Sequence, residues 1–394
     1  MKDKITIGLF IDTFFPMVDG VTMVVDNYAK RLSKIANVIV FAPAYKNLSV
    51  EEDEKRGYRV VRCKSLRVPF IDYSLPTPFL DSKFKKELKS IKLDIVHIHS
   101  PFAVGKLGIN YAKKNNIPVI ATMHSQYKQD FLRAVKSQWI ANLLTKKIIR
   151  QYDRCDKCWA VNSEIANIYF NEYHCKILPD VMNNATDMLL VNDVDGTKKI
   201  IDETYNISDK EKVFLFVGRI NNLKNVFLIA NSLKIVKNTS DIKFKMLFVG
   251  TGQDEDKLKE IIKENNMEHD IIMCGKVMNR ELLAQLYSRA DLFLFPSLYD
   301  ASSIVQIEAA SQKTPTIFVE GAATAATITN NINGFICENS EEKFAEKIIE
   351  VMKDEELYKM ACENVYKDIY VHWDTRVKQV YDLYMKFIDE KINK

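Results

Sequence analysis

The amino-acid sequence predicts an α/β protein with two Rossmann-like domains, each built on a doubly wound parallel sheet, followed by a long C-terminal helix. Three observations lead to this prediction. Short apolar runs alternate with amphipathic stretches along almost the whole chain, the alternation weakens once near the middle, and the last residues carry an apolar stripe at helical spacing. Strands that alternate with helices in this way form parallel sheets covered by helices.

The first half of the chain supplies the first predicted sheet. Its apolar runs are rich in Ile and Val, which is typical of strands buried on both faces. The stretches between them have helical periodicity and basic outer faces. The predicted strands are 5–11, 38–42, 95–99 and 118–122, and the predicted helices are 24–34, 83–90 and 106–115.

The second half repeats the pattern after a polar segment at 182–212, which we interpret as a linker because Asn, Asp and Gly cluster there. The predicted domains are 1–187, 188–371 and a terminal helix at 372–394. Two open sheets that face one another form a cleft at the carboxyl ends of their strands, where ligands usually bind. The predicted strands of the second sheet are 213–217, 245–249, 271–274, 292–296 and 316–319.

Composition and charge exclude several classes of protein. With 394 residues and 47% hydrophobic content, the chain can bury two cores and is not a disordered or fibrous protein. Seven scattered cysteines argue against a disulfide framework and for a reducing compartment. The first apolar run is too short for a membrane span and does not read as a signal peptide, so we expect a cytoplasmic protein, with the inner face of the membrane as a peripheral location.

The net charge of +4 is divided unevenly. Residues 1–190 carry about +10, and the remainder carries about −6. A basic half suits an anionic acceptor or a membrane surface, although a solvated lysine-rich surface is the commoner explanation. We expect no nucleic-acid partner.

The most specific constellation follows the first predicted strand of the second domain. Gly218 lets the chain turn sharply off the strand, and Arg219 and Lys224 then place two positive charges before a helix. An arginine fork and a lysine point charge suit the oxygens of a diphosphate. Two ordinary surface cations beside a loop are the alternative explanation.

A second candidate site follows the fourth predicted strand of the same domain. Ser302 or Ser303 is expected to cap a helix, and the free amides at its start, including that of Ile304, suit a phosphate. Glu308 lies almost two turns into this helix, where its carboxylate can accept hydrogen bonds from a ribose diol. Asp300 precedes the helix and is placed to hold sugar hydroxyls.

Taken in order, Gly-Arg-x4-Lys-Asn, a strand that ends in Pro-Ser, and Asp-x7-Glu resemble the retaining glycosyltransferase family 4, which has the GT-B fold. In the first half, the loop 14–21 looks like the family's Pro-x2-Gly-Gly-Val loop. His-Ile-His-Ser-Pro-Phe at 97–102 and Thr-Met-His-Ser-Gln-Tyr at 122–127 lie where the family places them. The resemblance covers nearly the whole chain, including the terminal helix, which in such enzymes crosses back onto the N-terminal domain.

The resemblance implies a retaining transfer from a UDP- or GDP-sugar to a glycan, lipid or lipid-linked acceptor in cell-envelope synthesis. The N-terminal domain would face the acceptor and the C-terminal domain would bind the donor. No metal or cofactor is implied beyond the nucleotide-sugar itself, which acts as co-substrate. Gly20 would let the backbone approach donor or acceptor, and His124 would lie near the reacting carbon.

The implied roles in the C-terminal domain concern the donor. Arg219 and Lys224 would stabilise the departing diphosphate, which gains negative charge as the glycosidic bond breaks. Glu308 would bind the ribose, and Asp300 would contact the donor sugar.

The sequence departs from the family pattern at four places. Asp19 precedes Gly20 where a second glycine is usual, and Asp300 stands where Glu is usual. The segment 183–187 lacks the glycine of the usual Asn-Gly-x-Asp, and Glu-Gly-Ala-Ala-Thr at 320–324 replaces a double glycine. These departures motivate a second hypothesis, a catalytically silent partner of another transferase, which an assay of donor hydrolysis or transfer would separate from the first.

Two other enzyme classes are alternatives to the transferase. A nucleotide-sugar epimerase can share the two-domain fold, and product analysis without acceptor would expose it. A nicotinamide dehydrogenase is not favoured, because no Gly-x-Gly-x-x-Gly follows the first strand.

The segment 130–151 has two interpretations. It mixes large apolar residues, including Trp139, with cations and is predicted as a basic amphipathic helix. The preferred interpretation is a helix packed on the N-terminal sheet with its cations in water. The alternative is peripheral contact with an anionic bilayer.

Two metal-like motifs are discounted. Cys155-Asp156-Lys157-Cys158 is a single pair and is interpreted as buried thiols. Asp193-Val194-Asp195 has the spacing of a metal-binding triplet but lies in the polar linker. The sequence therefore predicts no metal site.

Overall fold

The computed structural model describes residues 4–46, 50–67 and 74–393, which form two compact units. The first unit runs to Asn183 and takes up the chain again from Trp373, and the second unit is Asn184–His372. The boundary lies slightly before the one predicted from the sequence, because the segment that follows Asn183 packs with the second unit.

Four strands of the first unit form where the apolar runs at 5–11, 38–42, 95–99 and 118–122 predicted them, with ends that differ by at most one residue, and the unit has further strands beside these four. Buried residues occupy both faces of the central strands, because helices cover both sides of the sheet. The strands are β1 (Thr6–Phe10), β2 (Asn37–Pro43), β3 (Arg59–Cys63), β4 (Ser65–Arg67), β5 (Ser74–Pro76), β6 (Ile95–Ile98), β7 (Val119–Met123), β8 (Lys157–Ala160) and β9 (Asp180–Val181). A parallel seven-stranded sheet has the order β3-β2-β1-β6-β7-β8-β9, and β4 and β5 pair separately as an antiparallel ribbon.

Polar side chains cap three helices of the first unit, with Asp19, Asp81 and Asn162 at the cap positions. Asp19 accepts a hydrogen bond from the Thr22 amide, and Asp81 accepts one from the Phe84 amide, so each satisfies a free N–H at a helix start. The helices are α1 (Gly20–Leu32), α2 (Val50–Glu54), α3 (Ser82–Ser90), α4 (Ala103–Asn115), α5 (Tyr127–Val135), α6 (Gln138–Tyr152) and α7 (Ser163–Asn167).

The single helix predicted over 130–151 is wrong, because the structure divides this segment into α5 and α6. Lys136 adopts a left-handed conformation with φ of 50°, and its amide donates to the Leu132 carbonyl. This geometry ends α5 in the way that a left-handed residue commonly ends a helix. A lysine gives no sequence signal for such a break.

The second unit has a parallel six-stranded sheet with the order β12-β11-β10-β13-β14-β15, which is the Rossmann order. Its core joins the apolar faces of the sheet and the surrounding helices. The strands are β10 (Lys212–Val217), β11 (Phe244–Val249), β12 (Ile271–Gly275), β13 (Leu292–Leu294), β14 (Thr316–Val319) and β15 (Phe335–Cys337). The helices are α8 (Val194–Tyr205), α9 (Val226–Thr239), α10 (Glu255–Glu264), α11 (Arg280–Arg289), α12 (Ile304–Ser311), α13 (Glu341–Lys353) and α14 (Glu355–Ile369).

The linker predicted over 182–212 needs a correction, because α8 lies inside it. Asp193 caps α8 by accepting a hydrogen bond of 2.9 Å from the Gly196 amide. A polar cap and a glycine in the first turn have the composition of a loop, so the pattern concealed the helix. The acidic triplet that begins at Asp193 is therefore a helix start.

The C-terminal helix α15 (Trp373–Ile392) packs on the first unit, as the fold prediction expected. Its buried stripe includes Trp373, Val380 and Tyr384. The Tyr384 ring stacks on Trp159 of β8, with centroids 6.1 Å apart, and its hydroxyl lies 2.5 Å from Nδ1 of His97. The helix thereby completes the core of the first unit.

Candidate functional site

The second sheet has its topological switch point between β10 and β13, where ligands of open α/β sheets bind. The chain that leaves the carboxyl end of β10 supplies residues 218–225, and the chain that leaves β13 supplies Asp300. Residues from both predicted motifs of this domain therefore meet at one edge of one sheet.

Lys224 and Asp300 form an ion pair at this edge. The Lys224 Nζ lies 2.5 Å from each oxygen of the Asp300 carboxylate, and the two side chains are 18% and 20% exposed. A short 3-10 turn places the lysine, and Asn221 caps that turn by accepting from the Lys224 amide at 3.1 Å. An anion that reaches Lys224 at this site also meets the carboxylate of Asp300.

The loop that carries Arg219 is held by a neighbouring glycine pair. Arg219 itself is exposed to solvent. A Cβ atom on Gly250 would lie 1.8 Å from the Gly218 carbonyl oxygen, and one on Gly252 would lie 2.1 Å from the Ile220 oxygen. Only glycine allows this approach. The sequence interpretation missed the pair, although two glycines directly after β11 are the signal that marks it.

The start of α12 agrees only in part with the predicted serine cap. Ser303 occupies the cap position with an extended backbone, but its side chain makes no hydrogen bond to the helix within the described residues. The Ser302 hydroxyl accepts a hydrogen bond of 3.2 Å from the side chain of Asn184. The helix begins at Ile304, so its first amides are not satisfied by these serine side chains.

Glu308 is held by two donors that the sequence did not connect with it. It is 4% exposed; Oε1 accepts from Nη1 of Arg280 at 2.7 Å, and Oε2 accepts from the Tyr287 hydroxyl at 3.3 Å. Arg280 also reaches Asp187 at 3.2 Å. Burial raises the pKa of Tyr287 well above its usual value, and the neighbouring Glu308 charge raises it further, so the phenol stays a donor.

Each oxygen of the Glu308 carboxylate has two lone pairs, so each can accept one hydrogen bond beyond the one that the protein donates. Burial lowers the pKa of Arg280, but the charges and hydrogen bonds of Glu308 and Asp187 together outweigh it and the net shift is upward, so the guanidinium stays charged beside the carboxylate. Arg280 therefore orients the carboxylate that was predicted to bind a ribose.

The first sheet has its switch point between β1 and β6, and a buried acid, Asp12, lies there. Its carboxylate accepts from the Val104 amide and the Ser100 hydroxyl, both at 2.7 Å, and from the Gly105 amide at 3.3 Å. Asp12, which follows β1 in the chain, thus caps the beginning of α4. Burial raises the pKa of Asp12 to about 6 in spite of these hydrogen bonds. An acid that directly follows the first strand was the signal that sequence interpretation missed.

Beside this switch point, His97, His99 and His124 form what we call the buried imidazole cluster. The His97 and His99 rings have centroids 4.0 Å apart, and Nδ1 of His99 lies 3.1 Å from Nε2 of His124. Burial lowers the pKa of His124 to about 3 and holds those of the other two well below 6.5. All three rings are therefore neutral near pH 7.

Hydrogen bonding decides the tautomer of His124. The Nε2 atom of His99 is buried and has no partner within the described residues. A buried donor without a partner is costlier than an acceptor, so the His99 proton is assigned to Nδ1, which donates to His124. His124 then carries its own proton on Nδ1 and can donate a hydrogen bond from there.

Gly20 begins α1 in open space, since a Cβ built on it would meet no atom within 4 Å. The preceding Asp19, one of the departures from the family pattern, caps this helix by accepting from the Thr22 amide at 2.7 Å. The hydroxyl of Thr13 also donates to it at 3.2 Å. The carboxylate thus has a structural role, which explains its place in the loop.

The described residues contain neither a cluster that could hold a metal ion nor a helix that could span a membrane. In 4–46, 50–67 and 74–393, no group of three or more His, Cys, Asp or Glu side chains is arranged to hold a metal ion. Cys155 and Cys158 are buried free thiols that donate to backbone carbonyls. None of the helices in those ranges has both the length and the apolar character that a membrane span requires.

Comparison with known proteins agrees with this architecture. The model of Glycosyltransferase Family 4 matches residues 18–187, and the model of Glycosyl transferases group 1 matches residues 197–368. The two matches together span most of both units.

Two curated relatives align along nearly the whole chain. An alpha-monoglucosyldiacylglycerol synthase from Streptococcus pneumoniae is 26% identical, over 92% of this chain and 84% of the relative. A protein of the same name from Acholeplasma laidlawii is 24% identical, over 92% of this chain and 97% of the relative. Among solved structures, Anabaena HepE in complex with UDP superposes with a TM-score of 0.76 at 14% identity, covering 97% of this chain and all of that one.

Proposed function

The chain belongs to glycosyltransferase family 4, a family of GT-B enzymes, and from this membership we propose that it is a retaining hexosyltransferase acting in cell-envelope glycolipid synthesis. The proposed donor is a UDP-sugar, with a GDP-sugar as the alternative, and the proposed acceptor is a lipid or lipid-linked glycan. The observation that carries the proposal is the array of Arg219, Lys224 and Asp300 at the switch point of the second sheet. The names of the two curated relatives support a lipid acceptor, and the UDP complex of HepE supports the donor.

The chemistry follows from the charges at this edge. As the bond between sugar and diphosphate breaks, negative charge grows on the leaving group, and fixed cations at Arg219 and Lys224 lower the barrier. Asp300 is then proposed to turn from its lysine partner toward sugar hydroxyls, while Glu308 accepts from the ribose. Retention is ascribed to attack on the face that the diphosphate leaves, with the departing phosphate taking the proton of the acceptor. This route needs no protein nucleophile and no metal.

In the first unit, we assign His124 a role in orientation. Its ring is neutral at physiological pH, and its Nδ1–H is the donor that remains after the bond to His99. Such a group positions an oxygen of the substrate by donating a hydrogen bond. It does not act as a general acid near pH 7, because its pKa is only about 3.

The lipid acceptor fits the surface of α5 and α6. The helix α5 buries no residue, whereas α6 buries one face against the first unit. Trp139, at the beginning of α6, is 75% exposed, and Leu143, one turn later, is 42% exposed. Exposed aromatic and aliphatic side chains among cations are typical of helices that lie at a membrane surface. We therefore propose peripheral contact with the inner face of the membrane.

Calorimetric titration with UDP, GDP and ADP, without added metal, tests the donor site. We expect one nucleotide to bind in the micromolar range and Lys224→Ala to lose most of that affinity. Binding of none of the three would remove the donor assignment. Transfer of sugar to diacylglycerol in vesicles, or hydrolysis of the donor, then separates an active enzyme from a silent partner.

A further inference from the structure

A cavity of about 490 Å³ lies in the first unit, between the beginning of α4 and the helices α5 and α6. Its interior is largely apolar and is lined by Phe102, Phe131, Leu144 and Ile148. The residues from α4 directly follow the carboxyl end of β6, so the cavity lies beside the switch point of the first sheet. Its volume lies in the range of cavities that hold small organic ligands.

The rim of this cavity is positively charged. Lys106, Lys147 and Arg150 line it and are exposed to solvent. Across the part of the chain that the structure describes, none of the three forms an ion pair. The helix α6 contributes three cations and no carboxylate along its whole length. An anionic group at the mouth of the cavity would therefore meet cations that no protein carboxylate neutralises.

The apolar lining continues onto the surface. Ile140 lies one turn before Leu144 on the same face of α6, and its side chain is 37% exposed. Trp139 and Leu143 extend the apolar surface around the helix, with exposures of 75% and 42%. A chain of methylene groups can therefore pass from the surface into the cavity without leaving apolar contact.

We propose that this cavity binds one acyl chain of an anionic phospholipid, whose phosphate is held by Lys147 and Arg150. The lining accepts methylene groups but has few partners for the polar backbone of a peptide, which would be costly to bury there. The unpaired cations select an anionic headgroup over a neutral lipid. The site lies wholly in the first unit and is distinct from the proposed donor site, and it anchors the protein to the membrane surface that the proposed function requires.

Chain length provides a direct test with monomeric lipids. The protein is titrated with dihexanoyl- and with dioctanoyl-phosphatidylglycerol, two lipids that differ by two methylenes in each acyl chain. Each buried methylene strengthens binding about fourfold. One buried chain predicts that the longer lipid binds about 15-fold more tightly, whereas two buried chains predict a gain of more than about 200-fold. Equal affinities for the two lipids, binding of neither lipid, or the larger gain would overturn the proposal.

Substitutions in the cavity test whether the acyl chain binds there. Leu144→Trp fills the cavity and should abolish the gain from chain length, which is the tighter binding of the dioctanoyl lipid. Ala103→Leu fills the cavity from the side of α4 and should have the same effect. Leu143→Trp makes the same change one residue earlier on a side chain that does not line the cavity, and should keep the gain. Lys147→Gln should weaken both lipids equally and reduce the dependence on salt. If Leu144→Trp and Ala103→Leu both keep the gain, the cavity is not the site.

UDP titration of the same variants separates this inference from the donor site. Unchanged UDP affinity in Leu144→Trp shows that the second unit is intact. A far-UV circular dichroism spectrum and a Tm like those of the wild type show that the first unit is also folded, so that the loss concerns lipid alone. If wild-type protein shows the gain from chain length but binds no nucleotide, the proposed function fails while the lipid site stands. If nucleotide binds and the gain is absent, the lipid site fails alone.

Discussion

Replacing Asp300 with Asn is expected to tighten the binding of free UDP while it slows sugar transfer. In the structure, Lys224 donates to both oxygens of Asp300 at 2.5 Å, so the lysine that should hold a phosphate is already neutralised. A phosphate that approaches Lys224 is attracted by the cation and repelled by the carboxylate. Asn keeps the shape of the side chain and removes the repulsion, but it also removes the charge proposed to hold the sugar hydroxyls.

The size of the effect follows from the distance. A phosphate oxygen on the far side of Lys224 would lie about 5 Å from the Asp300 oxygens, where two unit charges interact by about 0.8 kcal/mol in water and about 3 kcal/mol at an effective dielectric constant of 20. Both side chains are about one-fifth exposed, which places the pair between these limits. We expect a gain of about 1–3 kcal/mol, which is a Kd about 5- to 150-fold lower.

The assay is metal-free calorimetry with UDP, which carries no sugar and so isolates the diphosphate from the proposed sugar contact. Asp209→Asn is the matched control, because this carboxylate is 90% exposed and pairs with Lys198, away from the switch point. It makes the same change in net charge and should leave the Kd unaltered. Unchanged or weaker UDP binding by Asp300→Asn would refute the reasoning that Asp300 and the diphosphate compete for Lys224.

Three further predictions concern kinetics and pH. Arg219→Ala and Lys224→Ala should each lower kcat/KM by the equivalent of about 2–4 kcal/mol of barrier, with little change in Tm; wild-type rates would exclude both residues from the mechanism. Arg280→Gln should raise the KM for the sugar nucleotide more than it lowers kcat, because Glu308 loses the guanidinium that donates to it at 2.7 Å and orients it. Arg280→Lys should restore part of the affinity, and a KM that does not change in either variant would contradict this role. Stability should fall below pH 6.5, because unfolded histidines take up protons there while burial keeps the pKa values of the imidazole cluster lower, at up to about 1.4 kcal/mol per pH unit for each ring. Burial raises the pKa of Asp12 to about 6, so protonation of Asp12 stabilises the folded protein between pH 6 and about 4 and offsets the contribution of one ring. The free energy of unfolding, measured with urea at pH 7, 6 and 5, should therefore fall by up to about 3 kcal/mol per pH unit. A free energy that does not change with pH would contradict the buried imidazole cluster.

The sequence by itself determined the fold class and most element positions, because these depend on local spacing. Apolar runs with flanking polar turns predict strands whatever the rest of the chain does, and every strand predicted in the two sheets is present. Through the family resemblance it also assigned both Lys224 and Asp300 to the sugar-nucleotide donor, and the structure brings the two residues to the same edge of the second sheet. Where local composition was ambiguous, the prediction failed: the capped helix α8 has the composition of a linker, and the break at Lys136 has no sequence signal.

Only the tertiary structure decided which partner each functional side chain has. Lys224 and Asp300 are 76 residues apart, Arg280 and Glu308 are 28 apart, and Asp12 caps a helix whose amide lies 92 residues away. Such pairs depend on which strands lie side by side in the sheet and on how the loops leave them. No local pattern carries that information, because hydrogen bonds and ion pairs of this kind form between groups that the chain brings together only when it folds.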